Sequence, residues 1–283
     1  MQTVQNAINI IVSNLIKKID INEANNIVWL LFNHLRGYSR IDLMLKSNEK
    51  LSLDEIIFLT NALERLKQSE PIQYILGRCE FMGLEIEVNK NVLIPRPETE
   101  ELVEWILTEI GTKKLKILDI GAGSGCIACA IKKNSANSTV EAWDISENAL
   151  KTAQKNAEIN DVKVEFKIVD ILNHQHIHNE LFDIIVSNPP YVTEKEKNLM
   201  QPNVLDYEPH AALFVPDEKP LLFYEKIADF SLKALKKGGM FFFEINEAFG
   251  KEIINLLKIK GFENIELRKD ISGRDRLVKG GRV

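Results

Sequence analysis

Apolar residues change their spacing along the chain. In the first stretch Ile8, Ile11, Val12, Leu15, Ile16 and Ile19 fall at helical spacing, which predicts one amphipathic helix. A second helix is expected near Glu23 to Leu35, with Ile27, Leu30 and Leu31 on one side. A third begins after Ser52, where Glu55 completes a capping-box pattern. It carries Ile56, Leu59, Leu63 and Leu66, and Pro71 follows its end. Between Arg78 and Ile94 the pattern changes to apolar residues interleaved with polar ones, around Asn89-Lys90-Asn91, which predicts a hairpin. Two prolines then stiffen Ile94-Pro95-Arg96-Pro97-Glu98-Thr99-Glu100, and a helix starts behind them.

From Leu115 onward strand and helix patterns alternate. Strands are expected at Lys116 to Ile120, Val140 to Ile145, Val164 to Asp170, Phe182 to Asn188 and Met240 to Ile245. Helices are expected at Ile127 to Lys133, Glu147 to Asn160, Leu221 to Lys236 and Lys251 to Lys260. Gly238-Gly239 would end the third of these, with Lys236-Lys237 at its C-terminal dipole. Ile265 to Ile271 and Arg276 to Lys279 close the pattern as strands. Such alternation predicts an α/β fold with a doubly wound parallel sheet. The expected organisation is a helical bundle over residues 1–74, a hairpin linker over 75–95 and an α/β domain over 96–283.

Composition narrows this picture only a little. With 45% hydrophobic and 27% charged residues among 283, the chain is an ordinary globular one. A net charge of -5 gives no sign of a strongly basic nucleic-acid binder. No apolar run reaches the length of a membrane span, and the N-terminal stretch lacks the form of a signal peptide, so a cytoplasmic protein is expected. Three cysteines, Cys79, Cys126 and Cys129, do not form a disulfide framework. Cys126 and Cys129 make a Cys-x-x-Cys pair, but they sit where a helix packs on a sheet, which favours small packing residues over redox chemistry. His174, His176 and His178 alternate, and a solvated loop explains them better than metal ligation. No metal is expected.

Candidate chemistry gathers at two strand ends. Asp119-Ile120-Gly121-Ala122-Gly123-Ser124-Gly125 follows the first strand of the alternating region and opens a helix. Its glycines allow a tight turn and close approach of a ligand to the backbone. They fall at alternate positions, one residue short of a dinucleotide fingerprint, and Ile127-Ala128 lacks the Lys-Ser/Thr of a P-loop. Asp144 ends the next strand, where a carboxylate can accept hydrogen bonds from both ribose hydroxyls. Asp170 ends the third and either meets an adenine amine or caps its own turn. Recognition of ribose and adenine without a phosphate fingerprint points to S-adenosyl-L-methionine rather than NAD. The order of these motifs from Leu115 to Val283 resembles the class I, Rossmann-like methyltransferases.

The second strand end is Ile185-Val186-Ser187-Asn188-Pro189-Pro190-Tyr191. A planar –NH2 group needs two acceptors, one for each N–H. The Asn188 side chain and the Pro189 carbonyl, stiffened by Pro190, can supply them, and Tyr191 can cover the flat group. Accepting both N–H bonds returns electron density to nitrogen and aligns it for methyl transfer. Proximity and alignment supply roughly 7–11 kcal/mol in favourable cases. The tetrapeptide resembles the acceptor motif of amino-methyltransferases acting on adenine, cytosine or glutamine amides, and alone does not choose among them.

The whole chain is similar to one family, the release factor glutamine methyltransferases called PrmC or HemK. The resemblance rests on the helical N-terminal region, Ile94-Pro95-Arg96-Pro97-Glu98-Thr99-Glu100 and Asn188-Pro189-Pro190-Tyr191. Tyr207-Glu208-Pro209-His210-Ala211-Ala212-Leu213 and Asp270-Ile271-Ser272-Gly273-Arg274-Asp275-Arg276 complete it. It implies methyl transfer to the side-chain nitrogen (N5) of glutamine in the Gly-Gly-Gln loop of class 1 peptide chain release factors, leaving S-adenosyl-L-homocysteine. It also implies cofactor contacts from Gly121 to Gly125, including Ala122 and Ser124, and from Asp144, Ile171 and Asn188, with Asp119 and Asp170 as further cofactor-binding candidates at the strand ends. The glutamine would be held by Asn188, Pro189, Pro190 and Tyr191, with the N-terminal bundle docking the protein substrate. Arg96 and Glu98 either guide the substrate loop or close over the cofactor, or simply start a helix with a stiff entry. Many members carry an aromatic residue where Ile171 stands, so stacking on adenine becomes apolar contact here. Phe214-Val215-Pro216-Asp217-Glu218 replaces a glycine-rich acidic turn. A monomer is expected, with no nucleic-acid partner. The alternative enzyme is an N6-adenine methyltransferase acting on DNA or RNA.

Overall fold

The computed structural model describes residues 1–174 and 181–283; His176 and His178 lie outside them. The chain divides into two compact units, residues 1–77 with 201–207, and residues 78–200 with 208–283.

The first unit is helical. It comprises α1 (Val4–Leu15), α2 (Ile21–Arg36), α3 (Arg40–Leu45), α4 (Leu53–Lys67) and α5 (Ile72–Leu76). Local capping chemistry sets its boundaries. Asp20 accepts from the Asn22 and Glu23 amides to start α2, and the Ser52–Glu55 capping box starts α4. The buried side of α1 is Val4, Ala7, Ile11 and Leu15, while Ile16 is half exposed. The face is therefore turned a little from the expected one: Ile8, Val12 and Ile19 flank the buried row, partly buried against the same cluster. Helices α3 and α5 were not expected: each is too short to display a period.

The second unit opens with β1 (Arg78–Phe81) and β2 (Leu84–Glu87). This hairpin turns at Met82-Gly83, where both residues have positive φ, and not around Asn89-Lys90-Asn91 as the spacing suggested, and it is tied into its own unit. The Glu87 amide donates to Asn156 Oδ1 at 2.6 Å, and Asn160 Nδ2 donates to the Glu85 carbonyl at 2.8 Å. There follow α6 (Pro97–Ile110), β3 (Lys116–Ile120), α7 (Cys126–Asn134), β4 (Thr139–Asp144), α8 (Glu147–Ile159), β5 (Val164–Ile168) and β6 (Phe182–Ser187). Two short strands, β7 (Val192–Thr193) and β8 (Phe214–Val215), pair with each other. The short helix α9 (Pro202–Leu205) belongs to the first unit, where the Tyr207 hydroxyl donates to the Gln68 carbonyl at 3.0 Å. Then come α10 (Leu222–Ala234), β9 (Leu235–Glu244), α11 (Gly250–Ile259), β10 (Glu263–Lys269) and β11 (Asp275–Gly281).

The main sheet has the order β10-β11-β9-β6-β3-β4-β5. Strands β9, β6, β3, β4 and β5 are parallel, whereas β11 runs antiparallel to both β9 and β10. The sheet is thus mainly rather than wholly parallel. A five-residue turn over 270–274 joins β10 to β11, and only a longer crossover returns a chain to a parallel neighbour. Helix α10 stops at Ala234, so Lys236 and Lys237 lie in β9 instead of at a helix end. Within β9, Phe241 and Phe243 join one core face with Tyr224, Ile253 and Phe262. Phe242 meets Trp105 edge-on from the opposite face. That alternation is the period of a strand buried on both sides.

Candidate active site

Strand order fixes where a ligand can enter. From β3 the chain moves outward to β4 and β5, then returns to the other side of β3 as β6. The switch point lies between β3 and β6, and open α/β sheets bind ligands outside the carboxyl ends of such strands. The loops leaving β3 and β6 are Gly121–Gly125 and Asn188–Tyr191. They meet at that point: a Cβ built on Gly121 would stand 4.0 Å from the Asn188 carbonyl oxygen.

The glycine loop is shaped by backbone. Gly121, Gly123 and Gly125 all have positive φ. At Gly125 a Cβ would fall 2.8 Å from Ala153 Cβ and 3.2 Å from its Cα, so only glycine lets α7 pack against α8 there. The Gly121 and Ala122 amides both donate to the Trp143 carbonyl, at 2.8 and 2.9 Å. Asp144 Oδ2 accepts from the Gly123 amide at 2.8 Å, and Oδ1 from the Ser146 amide at 2.8 Å. Burial raises the Asp144 pKa, against these amides, which favour its charge.

Asp119 is fully buried, and neither carboxyl oxygen has a hydrogen-bond partner. Burial, helped by the nearby Asp144 charge and opposed only weakly by the Ala128 amide, which lies outside good hydrogen-bond geometry, pushes it up to about 7. Ser124 is also buried. Asp170 spends both oxygens on its own turn, accepting from the Leu172 amide at 2.9 Å and Asn173 Nδ2 at 2.7 Å. Each oxygen keeps a second lone pair for another donor. Ile171 is partly buried against the same core cluster as Tyr191. Cys126 and Cys129 are free, buried thiols whose pKa burial raises, the state of packing residues rather than nucleophiles. His174 packs on Trp143 and Phe230.

Side chains from distant elements shape the Asn188–Tyr191 loop. Asn188 Nδ2 donates to Thr99 Oγ1 at 3.2 Å, and Thr99 Oγ1 donates to Glu244 Oε2 at 2.6 Å. The Tyr191 hydroxyl donates to the other oxygen, Oε1, at 3.1 Å. Asn246 Nδ2 holds the Tyr191 carbonyl at 3.2 Å, and Ser187 Oγ holds the Ile120 carbonyl at 2.6 Å. Burial raises the Glu244 pKa, opposed by Thr99, Tyr191 and the charge of Arg276. Arg276 is held by Asp270 at 3.1 Å and donates to the Ile245 carbonyl at 3.2 Å.

Arg96 pairs with the buried Glu208, whose other oxygen accepts from the Ile94 amide at 3.2 Å. The two motif stretches around residues 94–100 and 207–213 are thereby joined. Glu98 adds its negative charge to the burial that raises the Glu244 pKa. Sequence reasoning did not single out Thr99, Glu208, Glu244 or Asn246. A carboxylate closing the apolar run Met240-Phe241-Phe242-Phe243 was the available signal for Glu244, since a buried acid at a strand end needs a reason to be there. Among the described residues no helix is long and apolar enough to cross a membrane.

Residues 98–205 match the methyltransferase small domain family, and residues 11–77 match the PrmC N-terminal domain family. A protein of Flavobacterium psychrophilum named release factor glutamine methyltransferase is 48% identical over 92% of this chain and 92% of its own length. One of the same name from Bacteroides thetaiotaomicron is 46% identical, covering 87% of this chain and 86% of its own. Among solved structures, the hMettl16 catalytic domain bound to the MAT2A 3'UTR hairpin 6 superposes with a TM-score of 0.57 at 16% identity, covering 83% of this chain and 85% of that one. The Thermus thermophilus 16S rRNA N2 G1207 methyltransferase with AdoMet and guanosine gives 0.52 at 18% identity, covering 73% and 50%. These likenesses extend the class I methyltransferase fold to this chain.

Proposed function

The chain belongs to the release factor glutamine methyltransferase family, and we propose that it methylates the side-chain amide nitrogen (N5) of glutamine in the Gly-Gly-Gln loop of class 1 peptide chain release factors. The observation that carries this reading is the meeting of the glycine loop and Asn188-Pro189-Pro190-Tyr191 at the switch point. The relatives' names favour the amide over an adenine amine.

Three features support a fit to S-adenosyl-L-methionine. The positive-φ glycines leave backbone bare for close approach. Asp144 retains lone pairs for ribose hydroxyls after accepting from Gly123 and Ser146. Asp119 is a buried carboxyl without a hydrogen-bond partner beside the loop, suited to a cation. Bound there, the cofactor supplies a methyl group on a positively charged sulfur. Ala122 and Ser124 would line its methionine part, with Asp170 and Ile171 beside the adenine.

The chain's own contribution is placement. Asn188 and the Pro189 carbonyl accept the two amide hydrogens of the glutamine, which strips away its water and turns its nitrogen toward the methyl. Pro190 fixes the direction of that carbonyl, and Tyr191 covers the amide plane. Arg96, neutralised by Glu208, acts mainly by holding its loop under the substrate. The helical unit would dock the release factor. We read the enzyme as a cytoplasmic monomer with no nucleic-acid partner.

The test uses methyl-labelled S-adenosyl-L-methionine with a release factor, its loop Gln→Ala variant and DNA in separate reactions. Label on the unaltered release factor alone is expected. Equal label on the variant, or label on DNA, would sink the reading.

A further inference from the structure

We propose that Thr99 and Glu244 are positioning residues that fix which way the Asn188 amide faces. A carboxamide has nearly the same shape after a half-turn about its last bond, but the turn exchanges an acceptor for a donor. Only the orientation with Oδ1 toward the cleft can take a hydrogen from the substrate –NH2. The reversed one would set donor against donor.

The chain of hydrogen bonds behind Asn188 has a polarity that selects one orientation. Glu244 stands at the carboxyl end of β9 with 1% exposure; against its burial, the Thr99 and Tyr191 hydroxyls and the Arg276 charge favour the carboxylate form, which only accepts. The single Thr99 hydroxyl hydrogen is spent on Glu244 at 2.6 Å. Toward Asn188 the Thr99 oxygen can therefore only accept, and it takes Nδ2–H at 3.2 Å. Turning the amide over would press Oδ1 against an oxygen with no hydrogen to give, a buried unpaired contact. Thr99 is 3% exposed, so water cannot repair it readily. Tyr191 is held by the same carboxylate through Oε1, at 3.1 Å. One buried acid thus orients both side chains of the clamp. Pro97 begins α6 and puts Thr99 in its first turn, which gives the proline-rich entry a part in the chemistry beyond starting a helix.

The proposal rests on Asn188 being the amide clamp, and the experiment separates the two ideas. Steady-state methylation of a release factor is measured for Thr99→Val, Thr99→Ser, Glu244→Gln and Asn188→Ala, alongside cofactor affinity and melting temperature. Thr99→Val keeps the shape and loses the relay. It should lower kcat about 10–100-fold while cofactor affinity stays within about twofold. Thr99→Ser restores the hydroxyl and should return kcat to within about threefold of the parent. Glu244→Gln gives Thr99 a neighbour that both donates and accepts, and should fall between them. Wild-type kcat in Thr99→Val with an inactive Asn188→Ala overturns the relay and spares the clamp. Active Asn188→Ala overturns the clamp itself. Equal losses in Thr99→Val and Thr99→Ser, or a parallel loss of cofactor affinity, mean the contact only supports the fold and refute the proposal. If Thr99→Val does not fold, Thr99→Ser against Glu244→Gln decides: no difference between them in kcat refutes it.

Discussion

The two loops that meet at the switch point are held by different means. Gly121–Gly125 is held mainly by backbone, its own and that of Trp143, with two side chains of nearer sequence, Asp144 on the adjacent strand at 21 residues and Asn156 on α8 at 32. Asn188–Tyr191 is held by side chains far away in the chain, Thr99 at a separation of 89 residues and Glu244 at 53. Each loop also has a buried acid behind it. Asp119 has no hydrogen-bond partner, whereas Glu244 accepts from Thr99 and Tyr191. The difference suits different tasks: a cradle must leave capacity for a charged ligand, and a clamp must arrive already oriented.

The largest effect is expected on the clamp. Asn188→Ala should cost about 10²–10³-fold in kcat, the scale of deleting one polarising group from an active site. Cofactor affinity should weaken only modestly, and single-turnover methylation with a separate binding titration reads both. Full turnover would erase the contrast between the loops.

The next effect concerns the unpartnered acid. Asp119 is raised from an unfolded value near 3.9 to about 7 in the folded protein. The folded state therefore holds this proton more tightly. Its contribution to stability is full below the unfolded value and is lost as pH rises through about 7. Thermal melting between pH 4 and pH 8 should show the parent falling relative to Asp119→Asn, which has no such titration. Parallel curves would mean that Asp119 is solvated or paired.

A smaller effect tests the backbone cradle. Gly125→Ala brings a Cβ to 2.8 Å from that of Ala153 at a positive φ, and should cost about 2 kcal/mol of stability. Denaturant titration checks it. An unchanged midpoint would show that α7 and α8 can part without penalty.

This contrast also explains what could be read in advance. The cradle was legible because its determinants are contiguous: strand, glycines, helix, and then Asp144 closing the next strand. The Asn-Pro-Pro-Tyr motif was legible for the same reason. Its support was not, because no local pattern links Thr99 or Glu244 to Asn188; only the sheet order brings α6, β6 and β9 together. The missed boundary at Ala234 has a local cause. Lys236 and Lys237 suit a helix end as well as an exposed strand start, and pairing of Phe182 with Leu235 decides in favour of the strand. The antiparallel edge escaped notice because apolar alternation carries no direction.

That edge has a consequence for biosynthesis. Strand β11 lies between β9 and β10, yet it is translated after both. Until it emerges, one side of β9 lacks its ladder, and the nascent chain displays an unpaired, phenylalanine-rich border open to wrong pairing. Arg276, which draws in the Ile245 carbonyl next to Glu244, arrives with the same strand. A chain stalled before residue 275 would carry the Gly121–Gly125 loop and lack both the strand that closes this side of β9 and the Arg276 contact to Ile245.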